Sequence, residues 1–486
     1  MRKLLITVCQ FLGTPGLCAI AFALQALVMA SAEETAGDWP RFLGPTGNNL
    51  SEETGLIERW PADGPRVLWD KAIGSGYGAS SVLGSNLVLH HRLKDQEIVE
   101  GLQAATGESN WRYAYRSGFT DPFGYNNGPR CTPLLCSNRC YTFGAEGKLL
   151  CLDLQTGKLI WQRDTAREWE VPEPFFGVGS TPLLEDGRLI VMVGGQPNST
   201  VVALDAATGA TLWESVGQKT WEGVPAVGWR GEAPYRWTGQ EKLASYSSPV
   251  AATIHGQRHL LCLTRQGLVS LNPTNGAVYF RRWFQSSVNE SVNAMSPVVS
   301  GDLVLISAAY YHIGSVLLRV KPDGIGFDEV WRSPSPSPAR EPETAAASPP
   351  VLEAHWSTPV LHQGYLYAFS GRNEPDASLR CLEFATGKLR WTRDEHWRTH
   401  SAAQPAVYGR GSLILADNKL IVLGEGGKLG LFALNPKQAE EICSWQHPQL
   451  RYPCWAAPVL SRGKLYLRGE NNLVCLDLRR PDSRNP

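Results

Sequence analysis

The stretch GKLLCLDLQTGKLIWQRD, residues 147–164, decides the fold because the same pattern recurs along the chain. It reads as an apolar strand, a polar turn that ends in Gly157, and a second strand that carries Trp161. Close copies are TVVALDAATGATLWES at 200–215 and SLRCLEFATGKLRWTRD at 378–394. An Asp and a Gly at fixed turn positions favour a short hairpin loop, and apolar flanks favour antiparallel strands. The repeated unit is therefore predicted to consist of β-hairpins, with about 50 residues per copy.

An aromatic residue marks the last strand of each copy at a constant spacing. In four copies a Trp lies four residues after the turn glycine, as Trp161 does after Gly157. A large ring at this place fills the wedge-shaped gap that widens between radially arranged sheets. We therefore predict a structural role for the repeat aromatics, which are Trp69, Trp111, Trp161, Trp213, Phe280, Trp331, Trp391 and Trp445.

A Ser-Pro or Thr-Pro pair begins most copies and predicts the position of the first strand. Proline has no N–H to donate, so within a sheet it is found mainly on edge strands. The innermost strand of a propeller blade is such an edge, because it faces the central channel. The pairs are Thr132-Pro133, Thr181-Pro182, Ser248-Pro249, Ser296-Pro297 and Thr358-Pro359, with Ala457-Pro458 as a variant.

The eight landmarks predict an all-β fold, an eight-bladed β-propeller with four-stranded antiparallel blades over residues 66–478. RVLWDKA at 66–72 is a Trp strand that has no three inner strands before it. Residues 455–478 provide three strands and no Trp strand. Together they complete one blade, so we expect the segment around Trp69 to lie beside residues 473–478. Closure by this N-terminal strand removes the exposed edges of an open array.

The two ends of the chain are predicted to lie outside the ring. Residues 1–32 resemble a signal peptide, with a basic start, an apolar run and the small-x-small pattern Ala30-Ser31-Ala32. The alternative for this segment is an uncleaved membrane anchor. Residues 33–65 are expected to form an arm across one face, and residues 479–486 a C-terminal tail.

The charge balance does not favour a nucleic acid or an anionic membrane as partner. Lys+Arg and Asp+Glu each number 46, so the chain carries no long-range field of one sign. Cleavage near Ala32 implies a periplasmic or extracellular protein. We expect a monomer without a transmembrane helix in the mature chain.

Nine cysteines follow the predicted signal peptide, and eight of them fall into two groups. Cys151, Cys381 and Cys475 share one repeat position, which predicts a small buried residue without chemistry. Disulfide pairing within the second group is left open by the sequence. Its members are Cys131, Cys136, Cys140, Cys443 and Cys454.

The stretch FTDPFGYNNGPRCTP at 119–133 is the best candidate for a binding site. It combines aromatic and amide side chains with Arg130 just before an inner strand, where loops of different blades converge at the channel mouth. Two interpretations stay open, a ligand site or mere packing of the funnel. The predicted mouth residues are Tyr125, Asn127, Arg130, Tyr246, Tyr310, Trp356 and Arg410. His396 and His400 have the spacing of metal ligands but follow a Trp strand, so we predict loop histidines and no metal site.

The LDxxTGKxxW pattern resembles the repeat of pyrroloquinoline quinone (PQQ) dehydrogenases and of their non-enzymatic relatives, which include the BamB-type outer-membrane assembly propellers. The opening DWPRFLGP, followed by GPRVLWDKAIGSGY, is similar to exported bacterial propellers of this PQQ-like class. The resemblance extends from about Asp38 to Leu478. It implies the propeller fold, and one propeller fold serves many functions.

If the chain were one of the enzymes that it resembles, the resemblance would imply Ca²⁺ ligands, a catalytic Asp and, as in many of those enzymes, a disulfide between adjacent cysteines. This sequence contains neither an adjacent Cys pair nor a Cys-x-x-Cys-His haem motif. We therefore predict an exported, non-catalytic scaffold that binds an envelope protein or glycan through one face of the ring, without a cofactor and without catalytic residues. The alternative is a periplasmic alcohol or sugar dehydrogenase dependent on PQQ and Ca²⁺. No carboxylate pair for glycan cleavage is assignable.

Overall fold

The structure is a computed structural model that describes residues 37–172, 174–221, 245–286, 291–333, 350–372, 377–395 and 407–481. The predicted signal peptide, His396, His400 and the end of the tail lie outside these ranges, as do parts of the loops at 216–245 and 333–355. The described residues form eight four-stranded antiparallel sheets, which confirms the predicted propeller. No helix in these ranges is both long and apolar enough to cross a membrane.

The first four blades each contain four strands that are consecutive along the chain. Blade 1 consists of β2 Ser81–Leu83, β3 Asn86–Leu93, β4 Gln96–Gln103 and β5 Ser109–Arg116. Blade 2 consists of β6 Leu134–Cys136, β7 Arg139–Phe143, β8 Lys148–Asp153 and β9 Leu159–Asp164. Blade 3 consists of β10 Leu183–Glu185, β11 Arg188–Gly195, β12 Ser199–Asp205 and β13 Thr211–Ser215. Blade 4 consists of β14 Val250–Ile254, β15 Gln257–Leu263, β16 Gly267–Leu271 and β17 Val278–Trp283.

The next three blades repeat this order from the channel outwards. Blade 5 consists of β18 Val298–Ser300, β19 Leu303–Ala308, β20 Gly314–Val320 and β21 Phe327–Arg332. Blade 6 consists of β22 Val360–His362, β23 Tyr365–Ser370, β24 Ser378–Glu383 and β25 Leu389–Asp394. Blade 7 consists of β26 Gly411–Ala416, β27 Lys419–Gly424, β28 Lys428–Ala433 and β29 Glu441–Gln446. Short helical turns are α1 Thr165–Glu168 and the 3₁₀ turns Gln218–Trp221 and Tyr310–His312.

The eighth blade joins the two ends of the ring. Its inner strands are β30 Val459–Ser461, β31 Lys464–Arg468 and β32 Asn472–Asp477, and its outer strand is β1 Arg66–Ala72. Strand β1 pairs antiparallel with β32, and Trp69 lies opposite Cys475. The predicted closure by the N-terminal strand is therefore confirmed.

The outer-strand tryptophans join neighbouring blades by a repeated contact. Trp111 of blade 1 packs on Gly157 of blade 2, where an added Cβ would lie 2.3 Å from the indole ring. The indole N–H of Trp111 donates to the carbonyl of Leu154 at 2.9 Å. The turn glycine is thus needed twice, for its positive φ and for the space that the ring occupies. Equivalent indole bonds to the next blade are made by Trp69, Trp161, Trp213, Trp331 and Trp391.

The last landmark differs from the others in register. Cys443, not Trp445, lies at the bulge opposite Leu431, where the other blades carry their aromatic residue. Trp445 is two residues further along β29 and contacts Gly64 of the N-terminal arm. The contact is close, since a Cβ added at Gly64 would lie only 2.2 Å from the indole ring. The assignment of Trp445 to the common repeat position is therefore corrected. The looser spacing in the blade 7 turn hid this shift in the sequence.

The apolar core lies between adjacent blades. Seven clusters of buried side chains fill these seams in the described residues. Cys151, Cys381 and Cys475 are fully buried there, as their repeat position predicted. All nine cysteines of the described ranges carry free thiols, so none of the disulfides left open by the sequence forms.

The arm that precedes β1 crosses the central channel at one end. The carbonyl of Pro40 accepts from the N–H of Leu135 in blade 2, and Asn49 and Ser51 bond to both backbone groups of Leu415 in blade 7. These contacts lie near the β6–β7 and β26–β27 turns, on the face opposite the 119–133 loop. The arm therefore closes the channel from below and leaves the other mouth for the loops between blades.

Candidate functional site

A belt of small residues encircles the channel at the start of the inner strands. The belt residues are Ala79, Thr132, Thr181, Ser248, Ser296, Thr358, Ser412 and Ala457. The N–H of Thr132 donates to the Thr181 hydroxyl at 3.2 Å, and the N–H of Thr181 donates to the Ser248 hydroxyl at 3.0 Å. The same bond links Ala79 to Thr132, Ser248 to Ser296, and Ser296 to Thr358. Five of the six belt hydroxyls thus satisfy a neighbour's backbone donor, and these five are the Ser and Thr residues that precede a proline.

One position, two residues before each belt residue, supplies the wall of a cavity above the belt. In order around the ring it is occupied by Tyr77, Arg130, Gly179, Tyr246, Ala294, Trp356, Arg410 and Trp455. All eight line a single cavity of about 220 Å³. Where this position is small, other rings fill the gap: the ring of Tyr246 packs against Gly179, and Phe176 and Tyr310 also line the wall. Leu43 and Asn49 of the arm form the floor.

The structure brings six of the seven predicted mouth residues to this cavity. Asn127 is the exception. Its side-chain oxygen accepts from the N–H of Asp121 at 2.8 Å, and its backbone carbonyl accepts from Arg92 at 3.0 Å. Asn127 therefore shapes the 119–133 loop and does not line the cavity. A role in ligand binding stays a prediction for the other six.

The wall residues that were not predicted from the sequence include Tyr77, Asp121, Phe176 and Trp455. For Tyr77 and Trp455 a signal was available, since both stand two residues before Ala79 and Ala457, in the register of Arg130 and Trp356. These two blades have Ala in place of the Ser or Thr that marks the belt position, so the shared spacing was not recognised in the sequence. Asp121 and Phe176 lie in loops between blades, where no repeat spacing predicts position.

Arg130 is held by a buried carboxylate within its own loop. Its guanidinium donates to Asp121 at 2.7 Å and to two backbone carbonyls. The other Asp121 oxygen accepts from the N–H groups of Phe123 and Tyr125. Burial lowers the pKa of Arg130, and the Asp121 charge opposes that shift. The pair is therefore a neutralised, pre-organised part of the wall.

Arg410 is held in the same manner across the mouth. It donates to both oxygens of Glu425, at distances down to 2.7 Å, and Glu425 is fully buried. The guanidinium also stacks over Trp356, with 4.9 Å from Cζ to the ring centroid. The indole N–H of Trp455 donates to Glu425 at 3.1 Å. One carboxylate thus positions a cation and two aromatic rings.

Aromatic rings form a continuous chain around the mouth. Tyr125 contacts both Phe176 and Trp455, at centroid distances of 5.9 and 5.5 Å. Trp455 contacts Trp356 at 5.5 Å. Burial raises the pKa of Tyr77 to about 12, and it also raises the pKa of Tyr246 and Tyr310. These phenols stay protonated at neutral pH, and the hydroxyl oxygens of Tyr77 and Tyr246 accept from the backbone N–H groups of Asn126 and Phe176.

His355 is a titratable group of this wall whose pKa lies well below its ordinary value. Its ring contacts Tyr310 and Trp356 at centroid distances of 5.1 and 5.0 Å. Burial lowers the pKa of His355 from 6.5 to about 3, and the charges of Arg410 and Arg372 add to this shift. His355 is therefore neutral at physiological pH and unsuited to hold a proton for catalysis.

Acid is expected to destabilise the protein through His355. The folded-state pKa lies below the unfolded value of 6.5, so this contribution to stability is complete above pH 6.5 and is lost as pH falls toward about 3. The loss amounts to about 1.4 kcal/mol per pH unit in that window. Urea unfolding at pH 7.5 and pH 5 measures it. His355→Phe, which keeps a ring, should lose about 2 kcal/mol less than the wild type between the two conditions; equal losses would contradict the assignment.

Two polar atoms at the cavity have no partner among the described residues. One is the indole Nε1 of Trp356 and the other is the side-chain oxygen of Asn49. The amide nitrogen of Asn49 donates to the carbonyl of Thr358 at 3.0 Å, which fixes the orientation of this side chain. Buried polar groups are normally hydrogen-bonded, so each such atom calls for an explanation.

The family described as "Outer membrane protein assembly factor BamB" matches residues 94–322 and 328–485 of the chain. The chain belongs to this family. Among curated relatives, the quinohemoprotein alcohol dehydrogenase ADH IIB of Pseudomonas putida is 24% identical over 227 residues, which cover 44% of this chain and 30% of that protein. The outer membrane protein assembly factor BamB of Moranella endobia is 29% identical over 122 residues, 24% of this chain and 27% of that protein. The alignments thus span less than a third of either relative.

Solved structures of both kinds share the fold of this family member. Quinohemoprotein alcohol dehydrogenase from Comamonas testosteroni superposes with a TM-score of 0.61 at 13% identity, over 92% of this chain and 81% of that one. BamB from Moraxella catarrhalis superposes with a TM-score of 0.53 at 13% identity, over 85% of this chain and 98% of that one. At such identity the likeness shows the fold alone.

The dehydrogenase relatives raise the question of whether this family member fits a quinone with Ca²⁺. The two carboxylates at the mouth, Asp121 and Glu425, are both engaged by arginines and by further donors. In the part of the chain that the structure describes, no three His, Cys, Asp or Glu side chains converge as a metal site. Ca²⁺ takes six to eight oxygen ligands, among which carboxylates supply the negative charge. The donor set of the described cavity does not fit that ion.

Proposed function

We propose that the chain is an exported, non-catalytic propeller that binds an envelope protein or glycan through the face that carries the aromatic mouth. The observation that supports this most is the pairing of both cations of the cavity wall with carboxylates. Asp121 and Glu425 are neutralised by Arg130 and Arg410, and His355 is held neutral by burial. The described wall therefore offers recognition surfaces but no poised base, nucleophile or metal ligand.

Exposed aromatic side chains at the mouth support binding of a partner on this face. Phe123 and Tyr452 are 57% and 47% exposed and contact the wall residues Phe176 and Trp455. Aromatic residues are enriched at binding hot spots, because they cover large areas at low entropic cost. We assign the first contact with the partner to these rings.

Retention on isolated envelope material tests the proposal. The double variant Phe123→Ser/Tyr452→Ser is expected to reduce retention about tenfold, because it removes the exposed part of the mouth. The matched control is Ile325→Ser/Leu212→Ser, which removes exposed apolar side chains (63% and 50% exposed) away from the mouth. The control should bind as the wild type does. Equal binding by all three proteins, or no retention of the wild type, would contradict the proposal.

The dehydrogenase alternative is tested in the same preparation. Addition of PQQ and Ca²⁺, followed by dye-linked oxidation of an alcohol and sugar panel, is expected to give no turnover. Turnover that is lost on removal of Ca²⁺ would replace the scaffold proposal with the enzyme.

A further inference from the structure

We propose that the cavity binds the neutral, ring-shaped end of a glycan, with Trp356 as hydrogen-bond donor on the wall and Asn49 as acceptor on the floor. This inference rests on the proposed function and names the chemistry of its ligand. Three properties of the cavity lead to it: unused polar atoms, charge and shape.

The unused polar atoms define a donor and an acceptor. The rings of Trp455 and Trp356 are in tilted contact at a centroid distance of 5.5 Å, yet of the two indole N–H groups only that of Trp455 has a partner, Glu425. Trp356 Nε1 and Asn49 Oδ1 have none among the described residues, and Asn49 is only 3% exposed. A buried group without a partner costs about 1–3 kcal/mol. A hydroxyl group both accepts and donates, so a ligand that carries several hydroxyls offers a partner of the right kind to each atom.

The charge of the wall selects a neutral ligand. Arg130 and Arg410 already hold Asp121 and Glu425, which leaves neither cation available to bind an anion. A cationic ligand is also disfavoured, because the guanidinium of Arg410 occupies the face of Trp356 on which such a ligand would stack. Of the ring-shaped ligands, this leaves the uncharged ones.

The shape of the cavity selects a single ring. Its volume of about 220 Å³ is smaller than the ~300–1,000 Å³ pockets that hold drug-sized molecules. Rings of Tyr125, Phe176, Tyr246 and Trp455 line it. A sugar presents a face of C–H groups to such rings and hydroxyls along its edge. A peptide segment would need a longer groove and main-chain partners.

The arm has the backbone features of a functional floor. Leu43 and Asn49 both adopt φ of 63°, which is costly for leucine. The carbonyl of Leu43 accepts from the N–H of Asn49, and this contact closes the loop that carries both side chains into the channel. A functional reason for the strained backbone at Leu43 is that it holds this loop in the channel, where Asn49 lines the cavity.

The test is isothermal titration calorimetry of the full mature chain with three neutral probes, maltotriose, cellotriose and N,N′,N″-triacetylchitotriose, and with trigalacturonate and choline as charged controls. At least one neutral probe is expected to bind, and both charged probes are expected not to. Trp356→Phe keeps the ring and removes the donor, so it should weaken binding five- to tenfold. Trp60→Phe is the matched control, because Trp60 Nε1 is also buried without a described partner but lies outside the cavity.

Each possible result decides the inference. Binding of a neutral probe that is weakened by Trp356→Phe and unchanged by Trp60→Phe supports it. Absence of binding by all three neutral probes at millimolar concentration, tighter binding of a charged probe, or equal effects of the two variants would overturn it. If envelope retention persists in that case, the partner is a protein and the proposed scaffold function stands. If the wild type is not retained, the scaffold function itself is wrong.

Discussion

Replacement of Arg410 by leucine is expected to lower the free energy of unfolding by about 3–5 kcal/mol at neutral pH. The reason is the carboxylate left behind. Glu425 is fully buried, and three of its contacts come from the guanidinium of Arg410. Removal of one partner of a buried pair leaves an uncompensated charge in a site of low dielectric constant. Chemical denaturation at pH 7 measures the change.

The double variant Arg410→Leu/Glu425→Gln separates this charge effect from lost packing. A glutamine at 425 carries no charge and keeps one acceptor oxygen, which can serve either Trp455 or the backbone N–H of residue 410, because these two donors bond to different oxygens of Glu425. We expect it to be about 2 kcal/mol more stable than the single variant. A cost below about 1 kcal/mol for Arg410→Leu, or no recovery in the double variant, would show that the pair is solvated.

Replacement of Trp69 by alanine is expected to cost about 3 kcal/mol and to loosen the closure of the ring. Trp69 stands on β1, packs on Gly107 of blade 1, and donates its indole N–H to the carbonyl of Ala104 at 3.2 Å. Trp69 stands on the outer strand of blade 8, and among the eight sheets only this one pairs strands from opposite ends of the chain, β1 and β32. Loss of the ring therefore weakens the contact that holds the propeller closed.

Trp161→Ala is the matched control, because Trp161 makes the same contacts with Gly209 and Ala206 at an ordinary seam. The two variants should lose similar free energy. Only Trp69→Ala should show faster amide hydrogen exchange along β32, because that strand becomes an edge when β1 detaches. Identical exchange profiles for β32 in both variants would mean that the closing strand is held by the rest of the arm.

The fold was predictable because its determinants are local and repeated. The Asp and Gly of the 153–157 turn dictate a hairpin, and Trp161 at a constant spacing dictates a seam, so eight copies lead to one ring. The closing strand followed from counting, since Trp69 had no blade of its own. The prediction was wrong only for Trp445, where an altered turn moved the aromatic by two residues and the arm took over its contact.

The candidate site was predictable only in part. Arg130, Tyr246 and Trp356 share a register before the inner strands, so their convergence at the mouth follows from the repeat. Trp455 had the same register but lacked the hydroxyl that marks it. The prediction that Asn127 lines the cavity was wrong. Its side chain bonds to the backbone of its own loop, and an Asn that stabilises a loop looks the same in the sequence as an Asn that contacts a ligand.

By itself the sequence determined the eight-fold ring, its closure and the seams, because these depend on residues close together in each copy. Tertiary structure alone decided that Glu425 neutralises Arg410, that Asp121 holds Arg130, and that Asn49 reaches the floor of the cavity. Glu425 lies in the turn between β27 and β28 of blade 7. The hydrogen bond that it accepts from Trp455 of blade 8 depends on how these two blades pack against each other. Asn49 arrives from an arm whose path is set by pairing with Leu415, more than three hundred residues away along the chain. Charge pairing and cavity shape are properties of distances across the channel, and no local pattern encodes those distances.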